Sequence, residues 1–252
     1  MKRQIFLLLT VILCAALFLP MAAQAQTYQM DETDMTITVN DAEWYVFTRD
    51  NIKDNPELAE LGVTYQYMYD FFQDNAAYLD AILFYEEGGY LEFFVQKRPL
   101  DTGVANLSNY KDSEVSTFAR ELAKNAKVED YSVYKNTYKF VKLSFYDSEL
   151  KFYVHQYVTI VNRNTYTFTF QSEDAITEWE DQEIQRIVDS VVFDVDTSLK
   201  EKTGSSTFSI ARVIGGGVAG GAAGLVIAMR NKKKQKADKA KEEAPVNSPE
   251  LD

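Results

Sequence analysis

An apolar, glycine-rich segment near the C-terminus limits what the rest of this chain can fold into. Residues 213–229 read VIGGGVAGGAAGLVIAM, and Arg230 and a run of lysines follow at once. So many glycines would make a poor helix in water, whereas an apolar stretch followed by basic residues is typical of a membrane span. Extended to 208–229, the segment is long enough to cross a bilayer. We therefore predict a transmembrane helix over 208–229, preceded by a polar linker over 197–207.

The N-terminus carries a second apolar segment, whose flanks indicate a secretory signal peptide. Two basic residues open the chain, an apolar run fills residues 5–18, and Ala23-Gln24-Ala25 has the small-x-small pattern of a cleavage site. We predict a signal peptide over 1–25, so that the mature chain begins at Gln26. An uncleaved N-terminal anchor is the alternative interpretation.

Basic residues lie on one side of the predicted span. From Arg230 to the C-terminus the chain has 7 basic and 5 acidic residues, with the basic ones closest to the span. Lysine and arginine mark the cytoplasmic side of a membrane helix, so residues 230–252 are predicted to form a disordered cytoplasmic tail. The signal peptide independently sends the N-terminal domain outside. The predicted location is the cell membrane, crossed once.

The predicted extracytoplasmic part is acidic and lacks cysteine. Residues 26–207 contain 16 basic and 33 acidic residues, a net charge of −17, and the one cysteine of the chain, Cys14, lies in the signal peptide. An acidic surface repels phosphate backbones, so no nucleic-acid partner is expected. A cationic partner or divalent ions would suit it, and a merely solvated surface is the alternative. The absence of disulfides favours a bacterial cell envelope.

Residue patterns in the extracytoplasmic part predict strands joined by short hairpins, with helices between them. The strand patterns lie at 35–39, 44–47, 78–85, 90–97, 131–135, 138–146, 150–161, 165–171 and 191–193. Helical patterns lie at 57–61, 64–75 and 113–125, and after a capping box at 177–180. Short hairpins require antiparallel strands, and the segment 150–161 is apolar on both faces, so both faces need cover. We predict an α+β domain over 27–196, with six to seven mainly antiparallel strands sandwiched by helices.

The end of this domain resembles the PsbP-like family. The resemblance lies in YVHQYVTI at 153–160, TYTFTF at 165–170 and IQRIVDSVVF at 184–193. These segments are similar to the hairpin, helix and final strand with which members of that family often end. The resemblance implies an α/β/α sandwich, here in a bacterial membrane-anchored form, and a role in binding or assembly. No binding residue of the family is matched in this sequence.

Catalytic chemistry has few candidate residues. His155 is the only histidine, so a closed zinc site or a Cys–His nucleophile cannot be built in the mature chain, and no GxSxG motif is present. We predict no enzyme activity, no metal and no cofactor, with His155 a strand residue beneath a covering helix. The alternative is a hydrolase that cleaves wall glycans with paired carboxylates. Its candidates are Glu86-Glu87 and the acidic residues between 173 and 183.

Tyrosines offer a candidate ligand surface. The chain has 16 of them, and tyrosine rings can form a platform for a wall component or another envelope protein. Ordinary packing in a sheet is the alternative explanation for strand tyrosines. The residues proposed for the surface are Tyr65, Tyr69, Tyr153 and Tyr157.

Glycines in the predicted span offer a second contact surface. Gly216, Gly220 and Gly224 recur at intervals of four residues, which lays a smooth strip along one helix face where another helix can approach. Tolerance of small residues in lipid is the alternative. Beyond contact with membrane lipid through 208–229, the strip predicts a homodimer. Taken together, the sequence predicts a membrane-anchored binding or scaffolding module of the bacterial cell envelope.

Overall fold

A computed structural model of the chain describes residues 25–30, 32–40, 44–86, 88–100 and 104–195. Groups of consecutive strands are separated by helices along these residues, with a short 3-10 turn at Leu107–Asn109. The described strands are β1 Ala25–Met30, β2 Met35–Asn40, β3 Trp44–Thr48, β4 Ala77–Phe84, β5 Tyr90–Pro99, β6 Asp130–Lys135, β7 Lys139–Asp147, β8 Phe152–Val161, β9 Asn164–Ser172 and β10 Val192–Phe193. The described helices are α1 Pro56–Leu61, α2 Tyr65–Asp74, α3 Asp112–Ala126 and α4 Glu178–Asp189.

A seven-stranded sheet is the centre of the described fold. Its strand order is β3-β4-β5-β9-β8-β7-β6, and every neighbouring pair is antiparallel. The tight turn between β8 and β9 consists of Asn162 and Arg163, both with positive φ, as a two-residue hairpin requires. The central strands β5, β8 and β9 are buried along almost their whole length. Such strands need cover on both faces of the sheet.

One face of the sheet is covered by α4 and by a small second sheet. In the second sheet β2 lies between β1 and β10. The core on this face includes Phe93 and Phe170, whose rings stack with centroids 5.0 Å apart. Ile184 and Ile187 of α4 pack into the same cluster, because they are spaced to share one face of the helix.

The opposite face is covered by the other three helices. Helices α1 and α2 pack over the end that contains β3, β4 and β5, where Met68 and Phe72 join a cluster with Phe94. Helix α3 packs over β7 and β8, with Phe118 and Leu122 in its cluster. Each helix therefore buries the apolar face that its sequence pattern predicts.

A strip of buried polar side chains separates these two helix groups. Gln171 Nε2 donates to Glu92 Oε2 at 2.5 Å, and Gln156 Nε2 donates to Thr169 Oγ1 at 2.9 Å. Burial, and then the charges of Glu92 and Asp80, raise the pKa of Tyr67 to about 12. These hydrogen bonds join side chains of β5, β9 and β8 across the sheet.

The outer edge of β3 is closed by a side chain. Asn51 Oδ1 accepts from the Thr48 backbone N–H at 2.7 Å, and Asn51 Nδ2 donates to the Val46 carbonyl at 2.9 Å. One amide therefore bonds the edge as a neighbouring strand would. This leaves that stretch of the edge unavailable for pairing with another chain.

The prediction of an α+β domain with helices and six to seven mainly antiparallel strands is confirmed, since the main sheet is antiparallel and has seven strands. Two features differ from the prediction. Strand β1 was not predicted, because it directly follows the predicted cleavage site and its burial is slight. One face is covered by a helix and a second sheet, where helices alone were expected, because β2 pairs with β1 and β10 and not with β3.

Among the described residues, no helix is long and apolar enough to cross a membrane. The predicted signal peptide, apart from Ala25, lies outside the described residues. So do the linker over 197–207, the span over 208–229 with Gly216, Gly220 and Gly224, and the tail over 230–252.

Candidate binding groove

A groove opens at one end of the main sheet, between the β4–β5 turn and the start of α4. Its volume is about 350 Å³. The β4–β5 turn contains Gly88 and Gly89 with φ of +93° and +92°, which side chains rarely allow. A Cβ placed on Gly89 would lie 3.4 Å from Tyr85 Cδ2 and 4.0 Å from Asp174 Oδ2. The turn and the β9–α4 loop therefore approach each other closely at this point.

The start of α4 is held by a capping box. Thr177 Oγ1 accepts from the Glu180 backbone N–H at 3.3 Å, and Glu180 Oε2 accepts from the Thr177 backbone N–H at 2.6 Å. Two amide donors at the helix start are thus satisfied within the chain. This confirms the capping box that the sequence predicts.

Tyr85 joins the turn to the helix. Its hydroxyl donates to Glu180 Oε1 at 2.6 Å, so both oxygens of the buried Glu180 carboxylate accept a hydrogen bond. Burial, then the hydrogen bond to Glu180 and its charge, raise the pKa of Tyr85 well above its usual value. Tyr85 therefore stays a donor at any physiological pH, and Glu180 serves as a structural carboxylate.

Trp179 forms an aromatic wall of the groove. It is the second residue of α4 and lies off the face formed by Ile184 and Ile187, so the helix turns it towards solvent. Its side chain is 52% exposed. The ring meets Tyr85 edge to face, with centroids 6.1 Å apart. An indole in this position presents an aromatic surface to any ligand in the groove.

Acidic residues line the same groove. Glu86 on the turn and Asp174 on the β9–α4 loop are exposed and line it. Beside them, Glu173 Oε1 accepts from the Tyr90 hydroxyl at 3.1 Å. Within the described lining there is no lysine, arginine or histidine. The groove is therefore aromatic and negatively charged.

The four tyrosines predicted to form a ligand surface do not come together. Tyr65 and Tyr69 are exposed neighbours on α2, with ring centroids 5.9 Å apart. Tyr153 is exposed on β8 and packs against Tyr146 at 4.9 Å. Tyr157 is completely buried, so its assignment to a ligand surface is corrected: it points beneath α4 and packs among core rings.

His155 lies in β8 beneath α4, as the sequence predicts. Its Nδ1 is 2.9 Å from Asp181 Oδ1, and Lys142 Nζ donates to the same oxygen at 2.6 Å. Burial, then the charge of Lys142, lower the pKa of His155, and they outweigh the opposing effect of Asp181. Burial raises the pKa of Asp181, but Lys142, His155 and Gln185 together lower it. The cluster holds α4 on the sheet.

The carboxylates named for the hydrolase alternative lie at different sites in the structure. Glu86 and Asp174 line the groove, Glu180 is fixed in the capping box, and Asp181 bonds Lys142 and His155. Glu87 lies outside the described residues. No group of three or more histidine, cysteine, aspartate or glutamate side chains with metal-site geometry is found in the described part of the chain.

The residues that sequence reasoning missed are Tyr85, Tyr90 and Trp179. A signal for Trp179 was present, because position 179 falls off the apolar face of a helix whose start the capping box defines. Nothing local marks Tyr85, which directly follows β4, or Tyr90, which begins β5, because other aromatic residues lie near both. Only the pairing of β4, β5 and β9 brings them to Trp179.

A second cavity of about 420 Å³ lies between the edge strands β1 and β3. It is lined by Tyr28, Trp44 and the polar side chains of Asn51 and Asn55. The Trp44 ring packs edge to face on Phe93 in the core, 5.3 Å away. This cavity marks the gap where the small sheet leaves the edge of the large one.

Comparisons with known proteins give a similarity in structure and none in sequence. No family model matches the sequence, and no curated protein does. Among solved structures, the chain is similar to the solution structure of cyanobacterial PsbP (CyanoP) from Synechocystis sp. PCC 6803. The two are 11% identical, the alignment covers 69% of this chain and 95% of that chain, and the TM-score is 0.38.

Proposed function

We propose that this chain is a membrane-anchored, extracytoplasmic binding module of the bacterial cell envelope, and that it binds through the groove beside Trp179. The observation that carries the proposal is the exposed indole of Trp179 at the side of an acidic groove. Leaving so large an apolar ring in solvent forgoes the stabilisation of burial. Tryptophan and tyrosine are also the residues enriched at binding hot spots. A partner that covers the ring recovers that stabilisation.

The walls of the groove support binding, since they are held in place without a ligand. The hydrogen bonds from Tyr85 and Thr177 to Glu180 tie the turn to the helix start, and the Tyr90–Glu173 hydrogen bond ties β5 to the β9–α4 loop. A preorganised site loses less entropy when a partner binds.

The proposed cellular location rests on the sequence. Cleavage after Ala25 would leave Gln26–Met30 of β1 paired with β2, so the strand survives the proposed processing. Residues 208–229 then anchor the domain through the linker over 197–207, and the acidic domain faces a partner in the envelope.

The test is capture of partners from detergent-solubilised envelope membranes by the full-length chain. We expect a complex with the wild-type chain that Trp179→Ala loses, because the variant removes the exposed ring without touching the core. The double variant Tyr65→Ala/Tyr69→Ala is the matched control, since it removes two other exposed rings. Capture that survives Trp179→Ala but fails in the control would place the binding surface on α2.

The hydrolase alternative is tested with the same proteins. Two exposed carboxylates, Glu86 and Asp174, line the groove, and paired carboxylates carry out glycoside hydrolysis. Release of soluble products from purified wall glycan that stops in both Glu86→Gln and Asp174→Asn would establish the enzyme. No release by the wild-type chain, together with Trp179-dependent capture, supports the binding module.

A further inference from the structure

The charge around the groove selects for one kind of ligand. Glu86 and Asp174 bring two exposed carboxylates to the groove, with Glu173 next to Asp174 in the chain, and the described lining contains no positively charged side chain. The surrounding domain is itself acidic, with 33 acidic and 16 basic residues over 26–207. A negative cleft concentrates cations and repels anions.

The aromatic residues favour the same charge. Trp179 and Tyr85 meet edge to face at the groove, and the exposed indole presents its ring to solvent. The face of an indole attracts an ammonium or guanidinium group, and tryptophan does so better than any other side chain. Carboxylates beside an indole are therefore complementary to an organic cation.

The start of α4 does not offset this preference. A helix N-terminus can bind an anion through its free N–H groups. Here the capping box satisfies two of the donors, and Glu178, Glu180 and Asp181 supply negative charge within the first turn. These acids oppose the positive end of the helix dipole, so an anionic ligand gains little from it.

The size of the groove limits how much of a ligand it can hold. A volume of about 350 Å³ is at the lower end of the range for small-molecule pockets. It accommodates one long side chain with its adjoining backbone. A glycan of several sugar units would extend well beyond the two carboxylates.

We infer that the groove binds the lysine or arginine side chain of an extended segment of a partner protein. The cationic head lies against Trp179 between Glu86 and Asp174, and the aliphatic stem crosses the ring of Tyr85. This inference rests on the proposed function, because it names the partner chemistry of the same groove.

The test uses the intrinsic fluorescence of the full-length chain in detergent. The chain has two tryptophans: Trp44 is buried and Trp179 is exposed, so a ligand in the groove changes the emission of Trp179. The probe is a short glycine-spaced lysine peptide. The matched control peptide carries Nε-acetyl-lysine, which keeps the stem and removes the charge.

The expected result is a saturable change with the lysine peptide and none with the acetylated peptide. The double variant Glu86→Gln/Asp174→Asn should weaken binding about four- to 25-fold, since each exposed ion pair contributes roughly a factor of two to five. Added salt should weaken binding of the wild-type chain. The control Glu60→Gln/Asp74→Asn changes the net charge equally at exposed sites away from the groove, so its affinity should stay within about twofold.

Other outcomes overturn the inference. Equal binding of the acetylated peptide, or equal loss in both charge variants, would show that the groove does not recognise the cation. A response to chitotetraose and none to the lysine peptide would identify a glycan site instead. If no probe binds while capture of envelope partners still depends on Trp179, the binding module stands and the cationic ligand is refuted.

Discussion

Replacing Tyr85 with phenylalanine isolates the hydrogen bond that joins the β4–β5 turn to α4. The substitution removes the hydroxyl that donates to Glu180 Oε1 at 2.6 Å and keeps the ring that contacts Trp179. Glu180 is 5% exposed and keeps its second hydrogen bond, from the Thr177 N–H. The change therefore leaves one oxygen of a buried carboxylate without its donor.

The expected loss follows from the charge and burial of the acceptor. A hydrogen bond to a charged group contributes about 1.5–3 kcal/mol, and the short O–H···O distance is typical of charge-assisted bonds. Tyr85 is only half-buried, so water replaces part of the lost donor and the lower end, about 1.5 kcal/mol, applies. For a domain of this size the unfolding midpoint should fall by about 3–6 °C.

Urea unfolding of the fragment 26–200, followed by circular dichroism, measures this loss directly. Tyr69→Phe is the control, because Tyr69 is exposed on α2, and its free energy of unfolding should stay within about 0.5 kcal/mol of the wild type. If Tyr85→Phe is as stable as this control, the bond does not hold the groove together and our account of its rigidity is wrong.

Three further predictions concern the core, the sheet edge and the cluster under α4. Burial and then Lys142 hold the pKa of His155 below its usual 6.5, so the unfolded chain binds this proton more readily and stability should fall as the pH drops below about 6.5. His155→Gln should make the unfolding midpoint depend less steeply on pH in this range. An unchanged pH dependence would contradict this. Asn51→Ala should cost about 1–2 kcal/mol and speed hydrogen exchange at the Thr48 amide, whereas unchanged exchange would show that the edge needs no cover. Phe170→Ala empties a completely buried site and should cost about 3–5 kcal/mol in urea unfolding; a loss under 2 kcal/mol would mean that the core relaxes around the gap.

The sheet could be predicted from the sequence because its strands are local and regularly patterned. Strands 131–135, 138–146, 150–161 and 165–171 are joined by short turns, so their antiparallel order follows from the chain itself. The pairing of β5 with β9 could not be predicted, since the paired residues are far apart in the chain. Even the nearest pair, Pro99 and Asn164, has 64 residues between its members. Local pattern carries no information about which distant edge a hairpin joins.

The groove was beyond prediction for the same reason. Sequence reasoning found the capping box at Thr177 and the acidic residues near it, because both are properties of neighbouring positions. It did not connect Trp179 with Tyr85, which directly follows β4 and meets the helix only after β4, β5 and β9 have paired. The assignment of Tyr157 to a ligand surface is wrong because both faces of β8 are covered, and Tyr157 lies on the face beneath α4.

Helix α4 acts as a spacer with the groove at its beginning and the exit of the chain at its end. Its 12 residues span about 18 Å, and the backbone leaves through β10, where the Asp194 N–H donates to the Asp34 carbonyl at 2.8 Å. In the proposed membrane-anchored form, the end of the domain that carries β10 would face the lipid headgroups. The groove beside Trp179 would then face away from the membrane, where a partner protein can reach it.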